Sequence, residues 1–73
     1  MSREDFEKDY GSKRVNIEQK KFFFDLRENH KGKYVRITEV SGGRSCIVIP
    51  LIGALSFSEG LADIMKEAAL VGG

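Results

Sequence analysis

A chain of 73 residues forms one small domain at most, and a domain of this size buries too little apolar surface to be stable without further support. One cysteine excludes an internal disulfide, one cysteine and one histidine do not make a zinc cluster, and no apolar segment reaches the roughly 20 residues of a membrane span. The net charge of +1 conceals a basic segment, because residues 10–50 carry nine Lys and Arg against four Asp and Glu. We therefore expect an intracellular protein that self-associates, needs no cofactor or metal and has no membrane partner. Its compartment would be the nucleus and/or cytoplasm of a eukaryote, or the cytoplasm of a bacterium.

The chain begins with a strongly charged segment, residues 1–11, in which neither strand nor helix periodicity persists. We predict a flexible charged tail there and a folded unit over residues 12–73. From Ser12 onward apolar and polar residues alternate, which predicts a first strand with Val15 and Ile17 on one face. A polar connection then leads to the second strand.

Two strands, at residues 21–28 and 33–40, flank a turn in which Asn29 and Gly32 tolerate unusual backbone angles. Period-two alternation places five apolar side chains on one face of these strands: Phe22, Phe24, Leu26, Val35 and Ile37. The other face carries Phe23, Asp25, Arg27, Tyr34 and Arg36. We expect the first set to form a core and the second to remain available for a ligand.

The last part of the chain predicts a hairpin and a helix. A Gly-Gly turn at residues 41–43 leads to a fourth strand, residues 44–49, which Pro50 ends. After a loop, Ser56 and Glu59 have the spacing of a capping box and predict a helix start. The helix ends at Gly72-Gly73 and carries an apolar stripe: Phe57, Leu61, Ile64, Met65 and Ala68. With this stripe packed on the sheet, the fold is α+β, a four-stranded antiparallel meander followed by one C-terminal helix.

Three motifs follow one another between the second strand and the helix. The first is the run Phe-Phe-Phe-Asp-Leu-Arg-Glu-Asn-His-Lys-Gly-Lys-Tyr at residues 22–34, and the second is Val-Arg-Ile-Thr-Glu at 35–39. The third is Arg-Ser-Cys-Ile-Val-Ile-Pro at 44–50, with the amphipathic helix after it. In this order they resemble a single repeat of the Pur-alpha (purine-rich element binding) family. The resemblance extends from about residue 13 to 72, and it implies ββββα repeats that intertwine in pairs, here as a homodimer.

The resemblance also implies a function, the binding of single-stranded, purine-rich DNA or RNA on the sheet surface. In the family's Lys-x-Asn-x-Arg binding motif, the positions here are occupied by Arg27, Asn29 and Lys31, with the two basic residues exchanged. Tyr34 stands at the position of the family's wedge aromatic, where phenylalanine is usual. Arg36 alternates with Tyr34 on the same face and completes the predicted set, because cations can contact phosphates while aromatic rings stack on bases.

Each of these residues also has an ordinary structural interpretation. Asn29 is first of all a turn residue, and the cationic side chains could form a solvated basic face. Tyr34 could fill space between strands. Phe23 could lie under a partner chain, stack on a base, or be a plain exposed aromatic. The combination of cations and an aromatic ring on one surface favours the function.

Two hypotheses from different classes follow. The first is a single-stranded nucleic-acid-binding homodimer with strand-separating activity and a role in transcription or RNA regulation. The alternative is a dimerisation module, one repeat of a longer PUR protein with little nucleic-acid binding of its own. In both, the predicted dimer interface lies on the helix: Phe57, Leu61, Ile64 and Met65. An enzyme is not expected, because the sequence has no convincing acid/base pair, nucleophile pattern or phosphate loop.

Overall fold

Residues 7–72 are described by a computed structural model, in which one antiparallel sheet is followed by one helix. The strands β1 (Lys8–Ile17), β2 (Lys20–Asn29), β3 (Gly32–Val40) and β4 (Arg44–Pro50) lie side by side in chain order. A 3₁₀ turn, Leu51–Gly53, connects β4 to α1 (Ala54–Leu70). The predicted meander with a C-terminal helix is confirmed. The described residues contain no helix with the length and hydropathy of a membrane span.

Short turns join the strands where the sequence indicates them. In the turn between β2 and β3, Asn29 Oδ1 accepts a hydrogen bond from the backbone N–H of Lys31 at 2.9 Å, and Gly32 has a φ of 128°. Asn29, the last residue of β2, thus supports the turn through its side chain, but it does not use the unusual backbone angle that the sequence suggested, because Glu18 is the only residue other than glycine with a positive φ in the described range. In the turn between β1 and β2, Glu18 adopts a φ of 54°, a left-handed conformation that is costly for a side chain of its type.

β1 begins at Lys8, four residues before the strand start predicted at Ser12. The register of β1 against β2 shifts between Asp9 and Gly11, which leaves Tyr10 without a paired position. Such an extra residue interrupts the alternation of inward and outward side chains. Sequence periodicity therefore concealed the beginning of the strand. The rest of the predicted tail, residues 1–6, lies outside the described residues.

The register separates the side chains of the sheet into two chemically different faces. We call one the apolar face, and it carries Val15, Phe22, Phe24, Leu26, Val35, Ile37, Ile47 and Ile49. We call the other the polar face, and it carries Arg14, Phe23, Asp25, Arg27, Tyr34, Arg36, Thr38 and Arg44. Alternation in the sequence predicts this division.

The helix starts earlier than predicted and without a capping box. α1 begins at Ala54, directly after the 3₁₀ turn, and within the described part of the chain no side chain caps its N-terminus. Ser56 is already inside the helix, and the Ser58 hydroxyl donates to the carbonyl oxygen of Leu55 at 2.9 Å. The preceding 3₁₀ turn already curls the chain into a helical path, so the helix needs no new start at Ser56. At the other end, Gly72 has a φ of 74°, in agreement with the predicted glycine stop.

α1 does not cover the apolar face of its own sheet. Along the stripe the exposed fraction rises from 46% at Phe57 to 62% at Ile64, and no residue of the described part is buried. Only the beginning of the helix approaches the sheet, where a groove of about 190 Å³ is lined by Phe24, Val35, Ile37, Ile49, Ala54, Phe57 and Leu61. The prediction that the helix stripe covers the apolar face as a core is therefore wrong for a single chain.

The direction of the helix explains this difference. The three-residue connection Leu51–Gly53 determines how α1 leaves β4, and a helix of 17 residues is about 25 Å long. The Cα atoms of the chain accordingly extend over 55 × 29 × 17 Å, so the structure is elongated and thin. Both the apolar face and the helix stripe remain accessible.

Candidate nucleic-acid interface

The polar face brings predicted site residues together on the two central strands. Arg27 of β2 lies directly opposite Tyr34 of β3, and Asp25 lies opposite Arg36. Directly opposed residues in an antiparallel pair have Cβ atoms about 4.5–5.5 Å apart. Arg27, Tyr34 and Arg36 thus form one continuous surface.

A groove at the turn end of the sheet collects the rest of the predicted set. It has a volume of about 220 Å³ and is lined by Asn29, Lys31, Gly32, Lys33, Tyr34, Val48 and Pro50. We call it the turn groove. The half-buried ring of Tyr34 stands beside the apolar surface of Val48 and Pro50, and Lys31 supplies a cation at the turn. The groove therefore combines an aromatic ring, an amide and a positive charge.

Arg27 and Tyr34 share an anionic neighbour that the sequence did not indicate. The Nε and Nη2 atoms of Arg27 each lie 3.0 Å from Oε1 of Glu7. The Tyr34 hydroxyl donates toward the same carboxylate, at 3.0 Å from Oε1 and 3.2 Å from Oε2. Desolvation and the hydrogen bond to Glu7 raise the pKa of Tyr34, against a lowering by the charges of Arg27 and Arg36.

Arg36 is held more loosely than Arg27. Its Nη2 atom lies 3.5 Å from Oδ2 of Asp25, a long contact, and its side chain is 37% exposed. Within residues 7–72, the buried Nε of Arg36 has no hydrogen-bond partner. Because the contact to Asp25 is long and the side chain is partly exposed, the guanidinium group keeps hydrogen-bonding capacity for a further acceptor.

A second groove extends the polar face beyond the predicted residues. Its volume is about 180 Å³, and it is lined by Phe23, Asp25, Arg36, Thr38 and Arg44. We call it the Phe23 groove. Arg14 of β1 lies opposite Phe23 and adds another cation beside it. Arg14 alternates with Val15 in β1 and Arg44 with Ser45 in β4, so alternation in the sequence could have indicated both, but the predicted site was taken from the motif around the turn.

Tyr10 anchors the start of β1 on the opposite face of the sheet. Its hydroxyl donates to Oε1 of Glu28 at 2.6 Å, and this hydrogen bond, followed by desolvation, raises the pKa of Tyr10. The ammonium groups of Lys8 and Lys33 lie 5.4 Å and 5.5 Å from the centre of its ring. These contacts tie to the sheet a segment that the sequence assigned to the tail.

Metal-ligating and nucleophilic groups do not converge on this surface. In the described range, 7–72, no group of three or more His, Cys, Asp or Glu is arranged to hold a metal ion. Cys46 is exposed and lies on the polar face opposite Thr38.

Comparison with known proteins identifies relatives over nearly the whole chain. The sequence model of a family described as "PurA ssDNA and RNA-binding protein" matches residues 7–72. Transcription factor Pur-alpha 1 of Arabidopsis thaliana is 49% identical over 56 residues, which cover 75% of this chain and 19% of that protein. Transcriptional regulator protein Pur-beta-B of Xenopus laevis is 34% identical over 74 residues, 99% of this chain and 23% of the relative.

A mammalian relative has a similar level of identity and coverage. Transcriptional activator protein Pur-alpha of Mus musculus is 35% identical over 63 residues, which cover 84% of this chain and 20% of that protein. The chain thus spans about a fifth to a quarter of the length of these curated relatives. It has the strand order, turn and helix that the family resemblance predicts. The chain belongs to the PurA family, and it comprises a single PUR repeat.

Proposed function

We propose that this chain binds single-stranded DNA or RNA through the polar face of its sheet. The observation that carries the proposal is the clustering of cations around aromatic rings on one surface, with Arg27 opposite Tyr34 and Arg36 beside Phe23. A binder of single strands needs cations that follow the phosphates and rings that stack on bases. The description of the matching family, which names single-stranded DNA and RNA, supports the same assignment.

Two positions on this face could each hold a base. Tyr34 lines the turn groove and Phe23 lines the Phe23 groove, and Phe23 lies four positions before Arg27 of the Arg27–Tyr34 pair along β2. That separation corresponds to about 13 Å along the strand direction. Arg14, Arg36 and Arg44 lie on the same face and would contact the phosphates between and beyond the two rings. Tyr34 is also the group that would wedge between bases when a short duplex is opened.

A preference for purines would come from Asn29. Its Oδ1 atom already accepts the N–H of Lys31, so the amide nitrogen would be the group that Asn29 offers to a ligand. Amide N–H donors match the N7 and O6 acceptors of guanine and the N7 acceptor of adenine, and pyrimidines have no N7. Asn29 would therefore hold the turn and select purines at the same time.

The same proposal includes a homodimer. The apolar face and the helix stripe are both accessible in the single chain, and stripe residues Phe57, Leu61, Ile64 and Met65 are between 46% and 63% exposed. Exposed apolar area of this extent is typical of a surface that another chain covers. A second copy could cover the apolar face with its stripe while the polar faces of both copies remain accessible. As relatives are named transcriptional regulators, we propose an intracellular role in transcription or RNA regulation.

The alternative, a dimerisation module with little binding of its own, is favoured by a specific observation. Arg27 is paired with Glu7 and Arg36 with Asp25, so carboxylates of the same chain offset two cations of the polar face. A dimer that retains no single strand at about physiological salt would match this alternative.

Fluorescence anisotropy with matched purine-rich and pyrimidine-rich single strands over a salt series tests the proposal. We expect affinity to fall linearly on a log–log plot, with a slope of about −0.7 for each phosphate contact on a single strand. The double substitution Arg27→Ala with Lys31→Ala should leave circular dichroism unchanged, weaken binding, and make the slope about 1.4 units less steep. Unchanged binding of the double variant to a G-rich strand would show that the proposed surface is wrong.

A further inference from the structure

We infer that Arg27 and Tyr34 form a subsite for one phosphodiester group, and that Glu7 of the same chain fills this subsite and competes with nucleic acid. This inference rests on the proposed function. It concerns three residues, of which two lie on the central strands and the third immediately precedes β1.

The geometry at Glu7 is that of an anion held by converging donors. Two nitrogens of the Arg27 guanidinium and the hydroxyl of Tyr34 all lie 3.0 Å from the same carboxylate oxygen, and the hydroxyl also approaches the second oxygen. A phosphodiester, like a carboxylate, presents two anionic oxygens to such donors. The planar fork of arginine is well suited to either anion, and a tyrosine hydroxyl adds a neutral donor. The subsite therefore fits a phosphate without rearrangement of β2 or β3.

The hydroxyl of Tyr34 gives this subsite a property that a phenylalanine would not supply. A phenyl ring at the same place could stack on a base, but it could not donate to an anion. Tyr34 can therefore contact a backbone phosphate with its hydroxyl while its ring borders the turn groove. One side chain would link a phosphate contact to the neighbouring base position.

Glu7 can leave the subsite without disrupting the sheet. The first residue of β1 that pairs with β2 is Lys8, so Glu7 lies just outside the hydrogen-bonded ladder. The side chains of Arg27 and Glu7 are 23% and 39% exposed, which makes the contact accessible from solvent. A tethered carboxylate competes at a high local concentration, yet a single exposed ion pair is weak. Glu7 should lower the affinity for nucleic acid rather than abolish it.

The test compares Glu7→Gln with the matched variant Glu59→Gln in binding to a purine-rich single strand. Glu59 lies on α1, outside the polar face, and its substitution produces the same change in net charge. We expect E7Q to bind about fivefold more tightly than the wild type, the size set by one exposed ion pair, and E59Q to differ by less than about twofold. If the wild type binds the strand and E7Q and E59Q have equal affinities, the competition is overturned and the proposed function stays intact.

A second measurement examines the contact without any nucleic acid. In a Tyr10→Phe background, Tyr34 is the only tyrosine, and its ionisation can be followed by ultraviolet absorbance. Adding Glu7→Gln should lower the pKa of Tyr34, because the carboxylate that disfavours the phenolate is lost. An unchanged titration would show that the contact is absent in solution and would overturn the inference. If neither the wild type nor E7Q binds the strand at low salt, the proposed function fails together with the competition.

Discussion

Replacing Ile64 with glutamate should separate the two chains of the proposed dimer. Ile64 is in the middle of the helix stripe and is 62% exposed in the single chain, so a partner could remove most of its surface from water. Complete burial of such a side chain is worth about 1.5–3 kcal/mol, and about 60% of that, roughly 1–2 kcal/mol, would be lost. A carboxylate buried in the interface without a partner would cost several kcal/mol more.

These terms together exceed about 4 kcal/mol for each substituted chain, and both chains of a homodimer carry the change. The dimer dissociation constant should therefore rise at least about 1,000-fold, since each 1.4 kcal/mol is a factor of ten. Sedimentation equilibrium over a concentration series measures this constant directly. The wild type should sediment at about twice 8.2 kDa and Ile64→Glu as a monomer.

Leu70→Glu is the matched control for this substitution. Leu70 is 80% exposed, and at 100° per residue it lies on the side of α1 opposite the centre of the stripe. The control variant should remain dimeric. A wild-type monomer of 8.2 kDa that stays folded at micromolar concentration would refute the reasoning, and so would an unchanged dissociation constant for Ile64→Glu.

Three further predictions concern single positions. Replacing guanine by 7-deazaguanine in the bound strand should lower the affinity of the wild type about fivefold. The Asn29→Asp variant should show no such loss, because Asp keeps the turn acceptor but lacks the amide donors. Equal losses in both proteins would exclude the contact to N7. Phe23→Leu should weaken strand binding by about 1 kcal/mol while Phe23→Tyr retains it, whereas full affinity of the leucine variant would exclude stacking there. Glu18→Asn should raise the free energy of unfolding by about 0.5 kcal/mol in urea at fixed protein concentration, because asparagine tolerates a positive φ. Gln19→Asn is the control, and no gain at Glu18 would indicate that its conformation carries no strain.

Local patterns in the sequence were sufficient to predict most of the sheet. Strict alternation between Phe22 and Ile37 determined which side chains share a face, and the Asn29 turn and the Gly-Gly turn fixed the two following hairpins. The start of β1 was not predicted correctly, because the register shift at Tyr10 interrupts the alternation. The start of α1 was not predicted correctly, because a 3₁₀ turn precedes the helix in place of a side-chain cap.

Local sequence patterns could not predict which surface the helix packs against. Periodicity shows that Leu61 and Ile64 lie on one stripe, but it does not show which surface covers that stripe. A monomeric fold and a dimer of extended chains have the same amphipathic pattern in sequence. The direction in which Leu51–Gly53 leads the chain out of β4 separates these alternatives, and that direction is a property of the backbone.

The geometry of the candidate site could be predicted only in part, for the same physical reasons. Arg27 and Tyr34 could be paired from the length of one hairpin, and the structure places them opposite each other. Glu7 is 20 residues from Arg27 in sequence, and its contact depends on the irregular register of β1. No local rule could reveal that a carboxylate lies between the predicted arginine and the predicted tyrosine.

Because the two faces of the sheet differ, the proposed dimerisation and strand binding can be separated by experiment. We expect variants that lose binding alone, but none that lose dimerisation alone. Substitutions of Arg27 and Lys31 alter only the polar face and the adjacent turn, so they should weaken binding and leave the dimer intact. Ile64→Glu should affect both properties, because no described residue is buried in the single chain and the proposed partner would supply the core of the sheet. Loss of strand binding without loss of the dimer, and never the reverse, is therefore the expected pattern among variants. A monomeric variant that binds the strand with full affinity would show that the sheet is stable alone.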